Sequence, residues 1–264
     1  MDIKDSRIDS GKAFDWGRVS KEYAKYRDIY PKEFYQKIVD LNLCVKGQKV
    51  LDLGTGTGVL PRNMYEYGAD FMGTDISENQ IKFAKILAQE KNQNIQFLTS
   101  SAEEIPFEDN TFDVITACQC FFYFDHPVVM PKLAKLLKPD GKLVILYMTW
   151  LPKEDKIAGL SEQLVLKYNP TWSGAGETKH PIDLPDCVNE YFEVIHSEEY
   201  DIDVPFTLEN WHGRMKACRG VGASLTEEQI NEWEKEHLEM LKENAEPFFK
   251  VKHYGAIKVL KVRK

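Results

Sequence analysis

Between Lys46 and Trp150 the chain alternates between two periods of hydrophobic and polar residues. Val50–Leu53, Ala69–Thr74, Ile95–Leu98, Phe112–Ala117 and Leu143–Met148 are short apolar runs, the pattern of strands buried on both faces. Between them Val59–Tyr67, Glu78–Lys91 and Pro127–Lys138 repeat apolar residues at helical spacing. Strand and helix alternating at this pitch predict βαβ units and a parallel sheet with helices on both faces. Ser77 is placed to cap the second of these helices, and Lys138-Pro139-Asp140-Gly141 reads as a turn into the next strand.

Outside residues 46–150 the pattern changes. Residues 18–43 predict two amphipathic helices, the second opening with Pro31 in its first turn. A helical stretch near Glu154–Lys167 precedes a glycine-rich loop, Ser173-Gly174-Ala175-Gly176. Tyr191–Phe206 and Phe248–Val262 alternate like extended strands. Between them lie Trp211–Arg219 and a charged helix, Leu225–Glu243, whose Thr226 and Gln229 have capping-box spacing. The simplest reading is one α/β domain over residues 1–264. Residues 1–45 supply lid helices, 46–150 a ligand-binding core, 151–190 and 207–247 cap insertions, and 191–206 and 248–264 the terminal strands.

Composition narrows the function. With 264 residues, 43% hydrophobic and 29% charged, the chain can bury a substantial core. Its net charge of −8 and the lack of a long Lys/Arg block argue against a partner held by its phosphates, so no nucleic acid is expected. The basic stretch Lys258–Lys264 alternates with Val and Leu and reads as a strand with a solvated face. Leu143–Leu151 is too short to span a bilayer, so no membrane segment is expected either. Five cysteines, an odd number, and a polar segment at Met1–Lys12 without an apolar signal core predict reduced thiols in a cytoplasm. Cys118-x-Cys120 with His126 lacks a second ligand pair at zinc spacing, so no metal is expected.

The strongest chemical signal is Val50-Leu-Asp-Leu-Gly54-Thr-Gly56-Thr-Gly58, which leaves a buried strand and opens a helix. In such folds ligands bind at the carboxyl ends of the strands, and glycines let them approach the backbone. The spacing is Gly-x-Gly-x-Gly, which differs from the Gly-x-Gly-x-x-Gly fingerprint of nicotinamide-dependent oxidoreductases. Asp52, two residues before the first glycine, would repel a pyrophosphate and suits a ligand with an ammonium group. Asp75 ends the next strand in Gly73-Thr-Asp-Ile-Ser, where a carboxylate can accept both hydroxyls of a ribose. The plainer alternative is a turn of glycines followed by a helix-capping aspartate.

VLDLGTGTG, GTDIS, SSAEEIPFEDNTFDVI and LLKPDGKLVI occur in this order between Val50 and Trp150. Together they resemble the class I S-adenosylmethionine-dependent methyltransferases, in the broad type 11 group around the ubiquinone- and menaquinone-biosynthesis enzymes. The resemblance implies a Rossmann-like, seven-stranded, mostly parallel sheet whose last strand is antiparallel, with helices on both faces and a helical cap. It places Gly54, Thr55 and Gly56 against the cofactor's methionine and ribose. Asp75 matches the ribose acceptor, Ile76 packs on the adenine, and Gln80 covers its other face. Ser101, Ala102 and Glu103 match the segment that meets the adenine amino group, although many relatives have Asp at the position of Ser101. Cys118 and Gln119 match positions that face the methionine and the sulfonium. The bland reading of Cys118 and Cys120 is small buried hydrophobes.

Tyr23-x-x-Tyr26-Arg27-x-x-Tyr30-Pro31 is similar to a Y-x-x-Y-R-P-x-Y-P signature found in relatives that include trans-aconitate methyltransferases, with Asp28 in place of the first Pro. The similarity assigns Tyr23 and Arg27 to the cofactor's carboxylate, and the bland alternative is a surface helix with packed tyrosines. After the fourth strand, Gln119-Cys-Phe-Phe-Tyr-Phe-Asp125 has Phe122 where relatives have His. That change gives an aromatic wall, with Phe122 and Tyr123 as acceptor-binding candidates. Trp211–Gly220 adds His212, Arg214 and Arg219, of which either arginine could clamp an acceptor carboxylate or phosphate. The implied reaction is in-line displacement of the sulfonium methyl by an oxygen, nitrogen or carbon of a small molecule, with Tyr123, His126 and His212 as candidate bases. The alternatives are a non-catalytic S-adenosylmethionine-binding module and a nicotinamide-dependent oxidoreductase. Nothing in the residues fixes the acceptor or an oligomeric state.

Overall fold

Val50, Leu51 and Leu53 are wholly buried, and so are Phe112, Ile115 and Ala117. Segments shielded on both faces need every backbone amide paired along a ladder, and a parallel sheet supplies that pairing. The computed structural model describes residues 4, 6, 8–26 and 28–263, with the side chains of Trp16, Ser20, Glu22 and Tyr23 outside the description. In chain order the elements are α1 (Ser20–Tyr26), α2 (Lys32–Asp40), β1 (Lys49–Leu53), α3 (Val59–Met64), β2 (Asp70–Asp75), α4 (Glu78–Glu90), β3 (Gln96–Thr99), β4 (Phe112–Cys118) and α5 (His126–Leu136). There follow β5 (Leu137–Trp150), α6 (Lys156–Tyr168), α7 (Val188–Tyr191), β6 (Phe192–Thr207), α8 (Leu208–Lys216), α9 (Glu227–Asn244) and β7 (Phe248–Val262).

The strands form a seven-stranded sheet in the order β3-β2-β1-β4-β5-β7-β6. β1 pairs in parallel with β2 and β4, β2 with β3, and β4 with β5. The order reverses between β1 and β4, so their carboxyl ends flank the crevice where α/β sheets of this kind take ligands. The expected Lys138–Gly141 turn falls inside β5. Register jumps from Phe112↔Leu137 to Val114↔Lys142, leaving residues 138–141 looped out opposite Asp113. Asp113 Oδ2 pins the bulge by accepting from Lys138 Nζ (2.7 Å) and from the Lys49 amide (2.8 Å).

The chain divides into two compact units. One comprises Tyr30–Met148, His180–Tyr200 and Gly255–Lys264 and carries the glycine loop. Its α4 is capped by Ser77, whose hydroxyl accepts from the Gln80 amide (3.4 Å), and packs Ile81, Ala84 and Ala88 against Phe97 of β3.

The other unit comprises Met1–Ile29, Thr149–Lys179 and Asp201–Tyr254. The helices expected to form one lid are therefore divided, α1 falling here and α2 in the first unit. The Tyr26 ring lies on Gly213 of α8, where a Cβ would come within 2.4 Å of it. Trp211 packs edge-on against Trp150 and Phe206, and its indole Nε1 donates to Ser161 Oγ (2.9 Å). Ser161 Oγ also meets His237 Nε2 at 2.9 Å, and His237 Nδ1 meets His212 Nδ1 at 2.9 Å. Thr226 and Gln229 form the anticipated capping box on α9. Among the described residues no helix is long and apolar enough to cross a membrane.

Burial holds His237 and His253 neutral, with pKa values lowered to about 3. An unfolded chain takes up these protons near pH 6.5, so acid favours unfolding. Their contribution is complete above about pH 6.5 and is lost as the pH falls, by about 2 kcal/mol per histidine at pH 5. Chemical unfolding at pH 7.5 and pH 5 checks this. His237→Gln is expected to lose less stability than the unmutated protein between the two pH values, and an equal loss overturns the assignment.

Candidate active site

The loop after β1 is shaped by backbone conformations that side chains rarely adopt: Gly54, Gly56 and Gly58 have φ of +54°, +57° and +74°. A Cβ on Gly54 would fall 2.7 Å from Cys120 Cβ, and one on Gly58 would fall 2.7 Å from the Phe97 ring. The loop thus lies flat on both neighbours. The Thr55 amide donates to the Thr74 carbonyl of β2 (2.8 Å). Asp75 closes the turn, its Oδ2 accepting from the Gly56 amide (2.9 Å) and its Oδ1 from the Ser77 amide (2.8 Å). Each carboxylate oxygen keeps a second lone-pair direction, the acceptor pair that a ribose diol needs. Burial raises the Asp75 pKa, opposed by these two amide bonds.

Asp52 lies in β1 and is 2% exposed. Its Oδ1 accepts from the Thr116 hydroxyl of β4 (2.6 Å). Burial pushes its pKa up to about 7, and the Thr116 bond opposes the rise. The Thr57 hydroxyl is buried without a hydrogen-bond partner, a polar atom in the loop that a ligand or water could satisfy.

The remaining predicted cofactor residues separate into those that face this crevice and those tied elsewhere. Ile76 follows Asp75 with 46% of its surface exposed, an apolar surface suited to a flat base. Gln80 and Ala102 are buried, and Ser101 precedes the short 3-10 turn Ala102–Glu104. Glu103 is turned toward the segment after β4: its Oε1 accepts from the Asp125 amide (3.1 Å), and its carbonyl accepts from Lys132 Nζ. Cys118 ends β4 half-buried, its thiol donating to the Tyr30 hydroxyl (3.6 Å). Gln119 has a left-handed backbone (φ +65°), and its side-chain amide donates to the Met148 carbonyl of β5. Tyr30, Thr116 and Cys120 were missed as site residues. Cys120 donates its thiol to the Leu53 carbonyl (3.1 Å) and fills the space left by Gly54. The Gly54-x-Gly56-x-Gly58 spacing gave no signal for that contact.

Among the acceptor candidates, Phe122 is partly exposed and meets Tyr147 edge-on at 5.6 Å, and Tyr123 shares its 3-10 turn. His126 is buried, with Nε2 3.0 Å from the Phe121 carbonyl, and so braces this segment. In the other unit, His212 lies between His237 and Glu234, and burial lowers its pKa against the pull of Glu234. The Arg214 guanidinium covers the Trp150 ring at 4.8 Å. Arg219 is not free to clamp an acceptor as expected. Its Nε and Nη2 bind the buried Asp9 carboxylate at 2.8 and 3.1 Å, and Nη2 also donates to Ser173 Oγ (3.1 Å). Arg27 and the side chain of Tyr23 lie outside the described residues. Among the described residues no cluster of three or more His, Cys, Asp or Glu is arranged to hold a metal ion.

A doubly wound sheet, a glycine loop after its first strand and an acidic clasp ending its second are the features against which the comparisons with known proteins are set. Residues 51–145 match the family model described as "Methyltransferase domain". An uncharacterized methyltransferase of Mycobacterium bovis is 29% identical over 157 residues, 60% of this chain and 59% of that protein. A ubiquinone biosynthesis O-methyltransferase of Dechloromonas aromatica is 28% identical over 160 residues, 60% of this chain and 68% of the other. The first curated relatives are matched over 47% to 59% of their own lengths. The crystal structure of YcgJ from Bacillus subtilis shares the fold, with a TM-score of 0.53 at 21% identity over 89% of this chain and all of that one. S-adenosylmethionine is the cofactor of the class, and the clasp, the open Ile76 and the buried Thr57 hydroxyl all fit it.

Asp75→Ala removes the acceptor of the Gly56 and Ser77 amides. It is expected to weaken S-adenosylmethionine binding by about 1.5–3 kcal/mol, the range for hydrogen bonds to a charged group. Unchanged affinity by calorimetry in a folded variant excludes Asp75 from the site.

Proposed function

We propose that the protein transfers a methyl group from S-adenosylmethionine to a small-molecule acceptor. The observation that carries this reading is the glycine loop clasped by Asp75 at the point where strand order reverses. Bound there, the cofactor supplies an electrophilic methyl on a cationic sulfur. The work left to the chain is binding, alignment and exclusion of water. Gly54, Thr55 and Gly56 give the backbone surface for the cofactor, Asp75 holds the ribose, and Ile76 with Gln80 and Ala102 borders the base. Asp52, buried in β1 two residues before Gly54, balances cationic charge. Cys118 with Tyr30, and the Phe122 wall, are the side chains of this unit that we assign to the acceptor. The chain's acidity supports a small acceptor over a nucleic acid. Reduced thiols fit a cytoplasmic setting. The named function of the Dechloromonas relative gives oxygen acceptors the first trial.

The test is a screen for S-adenosylhomocysteine release across phenols, carboxylates, amines and quinone precursors. Turnover with one class supports the enzyme, and tight cofactor binding with no turnover across the screen favours the binding module. Arg27 is expected to meet the methionine carboxylate, so Arg27→Ala should cost more affinity for S-adenosylmethionine than for an analogue lacking that carboxylate. Equal losses make Arg27 a packing residue.

A further inference from the structure

The clamp expected at Arg219 exists, and its occupant is the chain itself. Asp9 is 1% exposed, and its carboxylate gathers a converging set of donors within the unit that holds Met1–Ile29, Thr149–Lys179 and Asp201–Tyr254. Oδ1 accepts from the Ser173 amide (2.7 Å), the Ser173 hydroxyl (2.9 Å) and Arg219 Nη2 (3.1 Å), and Oδ2 accepts from Arg219 Nε (2.8 Å). A planar fork reaching both oxygens, with a hydroxyl and an amide added on one, is the geometry that recognises a carboxylate.

These donors are also tied to one another. Arg219 Nη2 donates to Ser173 Oγ (3.1 Å), and the wholly buried Asn169 donates its Nδ2 to the Gly220 carbonyl (3.0 Å). Trp172 packs between the two segments: a Cβ on Gly220 or on Gly174 would fall 2.7 Å from its ring. The receptor therefore keeps its shape through contacts that do not include Asp9. The segment that delivers Asp9 is held at a cost. Asp9, Ser10 and Gly11 have φ of +48°, +55° and +77°, a left-handed run in which only the last residue is glycine. Beyond it, Lys12 Nζ donates to Asn169 Oδ1 (3.0 Å), the Phe14 ring lies 5.7 Å from the Arg219 guanidinium, and the Asp15 amide donates to the Ala223 carbonyl (3.1 Å).

We propose that Ser173 and Arg219 form a carboxylate-binding site that the chain fills with its own Asp9, so that residues 8–15 are a strap which a free carboxylate displaces. Tethering gives Asp9 a high effective concentration at the site, and a free carboxylate competes by escaping the left-handed run. The Arg219 side chain keeps 13% of its surface exposed with Asp9 in place, so the site lies just under the surface. A space that holds one aspartate side chain suits a small carboxylate. Chloride, with a single centre, cannot engage the fork and the hydroxyl together.

Formate is the probe and chloride at equal ionic strength the control, each titrated through the millimolar range into the full chain. A ligand of three heavy atoms reaches a Kd of about 1 mM at best. Asp9→Ala empties the site. Its amide exchange over residues 9–15 is expected to quicken about 100-fold, the order of losing bonds to a charged group. Formate should then raise its melting temperature saturably and leave the strap exchanging fast, because the site is refilled and the tether is not. The double variant Asp9→Ala/Arg219→Met should not respond to formate. No saturable response in Asp9→Ala, or an equal response in the double variant, overturns the proposal. Should Asp9→Ala fail to fold, Asp9→Glu keeps the charge and misplaces it by one methylene. In that variant formate should speed exchange over residues 9–15 saturably while chloride does not, and equal exchange in the two salts overturns the proposal.

Discussion

The architecture of the site depends on one contact: the Asp75 carboxylate gripping the Gly56 and Ser77 amides. The loop it holds has three residues in the left-handed region, which an unfolded chain would not keep without restraint. By tying the loop after β1 to the end of β2, the carboxylate fixes a surface of backbone against which a ligand needs little further ordering. It also fixes the start of α4, because Ser77 is that helix's cap. One side chain therefore sets loop, helix and binding edge together.

Electrostatics give the same region its second character. Two carboxyl groups, Asp52 within β1 and Asp75 at the end of the adjacent β2, are buried, and burial raises the pKa of both. Asp75 has two amides to offset that penalty, and Asp52 has a hydroxyl. Two buried carboxyl groups near one another form a setting that a phosphate-bearing cofactor would worsen and a cationic one relieves.

Most of the core was legible because local period and local burial agree: β1, β4 and β7 fall where apolar runs place them, and the caps at Ser77 and Thr226 follow from short spacings. What could not be read was any side chain whose partner is remote in sequence. Glu103 is diverted by an amide 22 residues away, Gln119 by a carbonyl 29 away, and Arg219 by Asp9, 210 away. A cation beside an aromatic anchor, as at Trp211–Arg219, reads alike whether it awaits a ligand or already holds a buried carboxylate. The β5 bulge was half legible, since Pro139 and Gly141 signal a turn but not its inclusion within a strand.

The glycines divide the motif between two tasks. Gly54 makes room for Cys120, and Gly58 makes room for Phe97 in the cluster under α4, so both serve packing whether or not a ligand is present. A descendant of this chain that had abandoned chemistry would still keep those two positions in order to fold. The Gly-x-Gly-x-Gly string is therefore a mark of the scaffold. An engineer wishing to silence the pocket and keep the protein would leave Gly54 and Gly58 alone and recast the open apolar surface at Ile76.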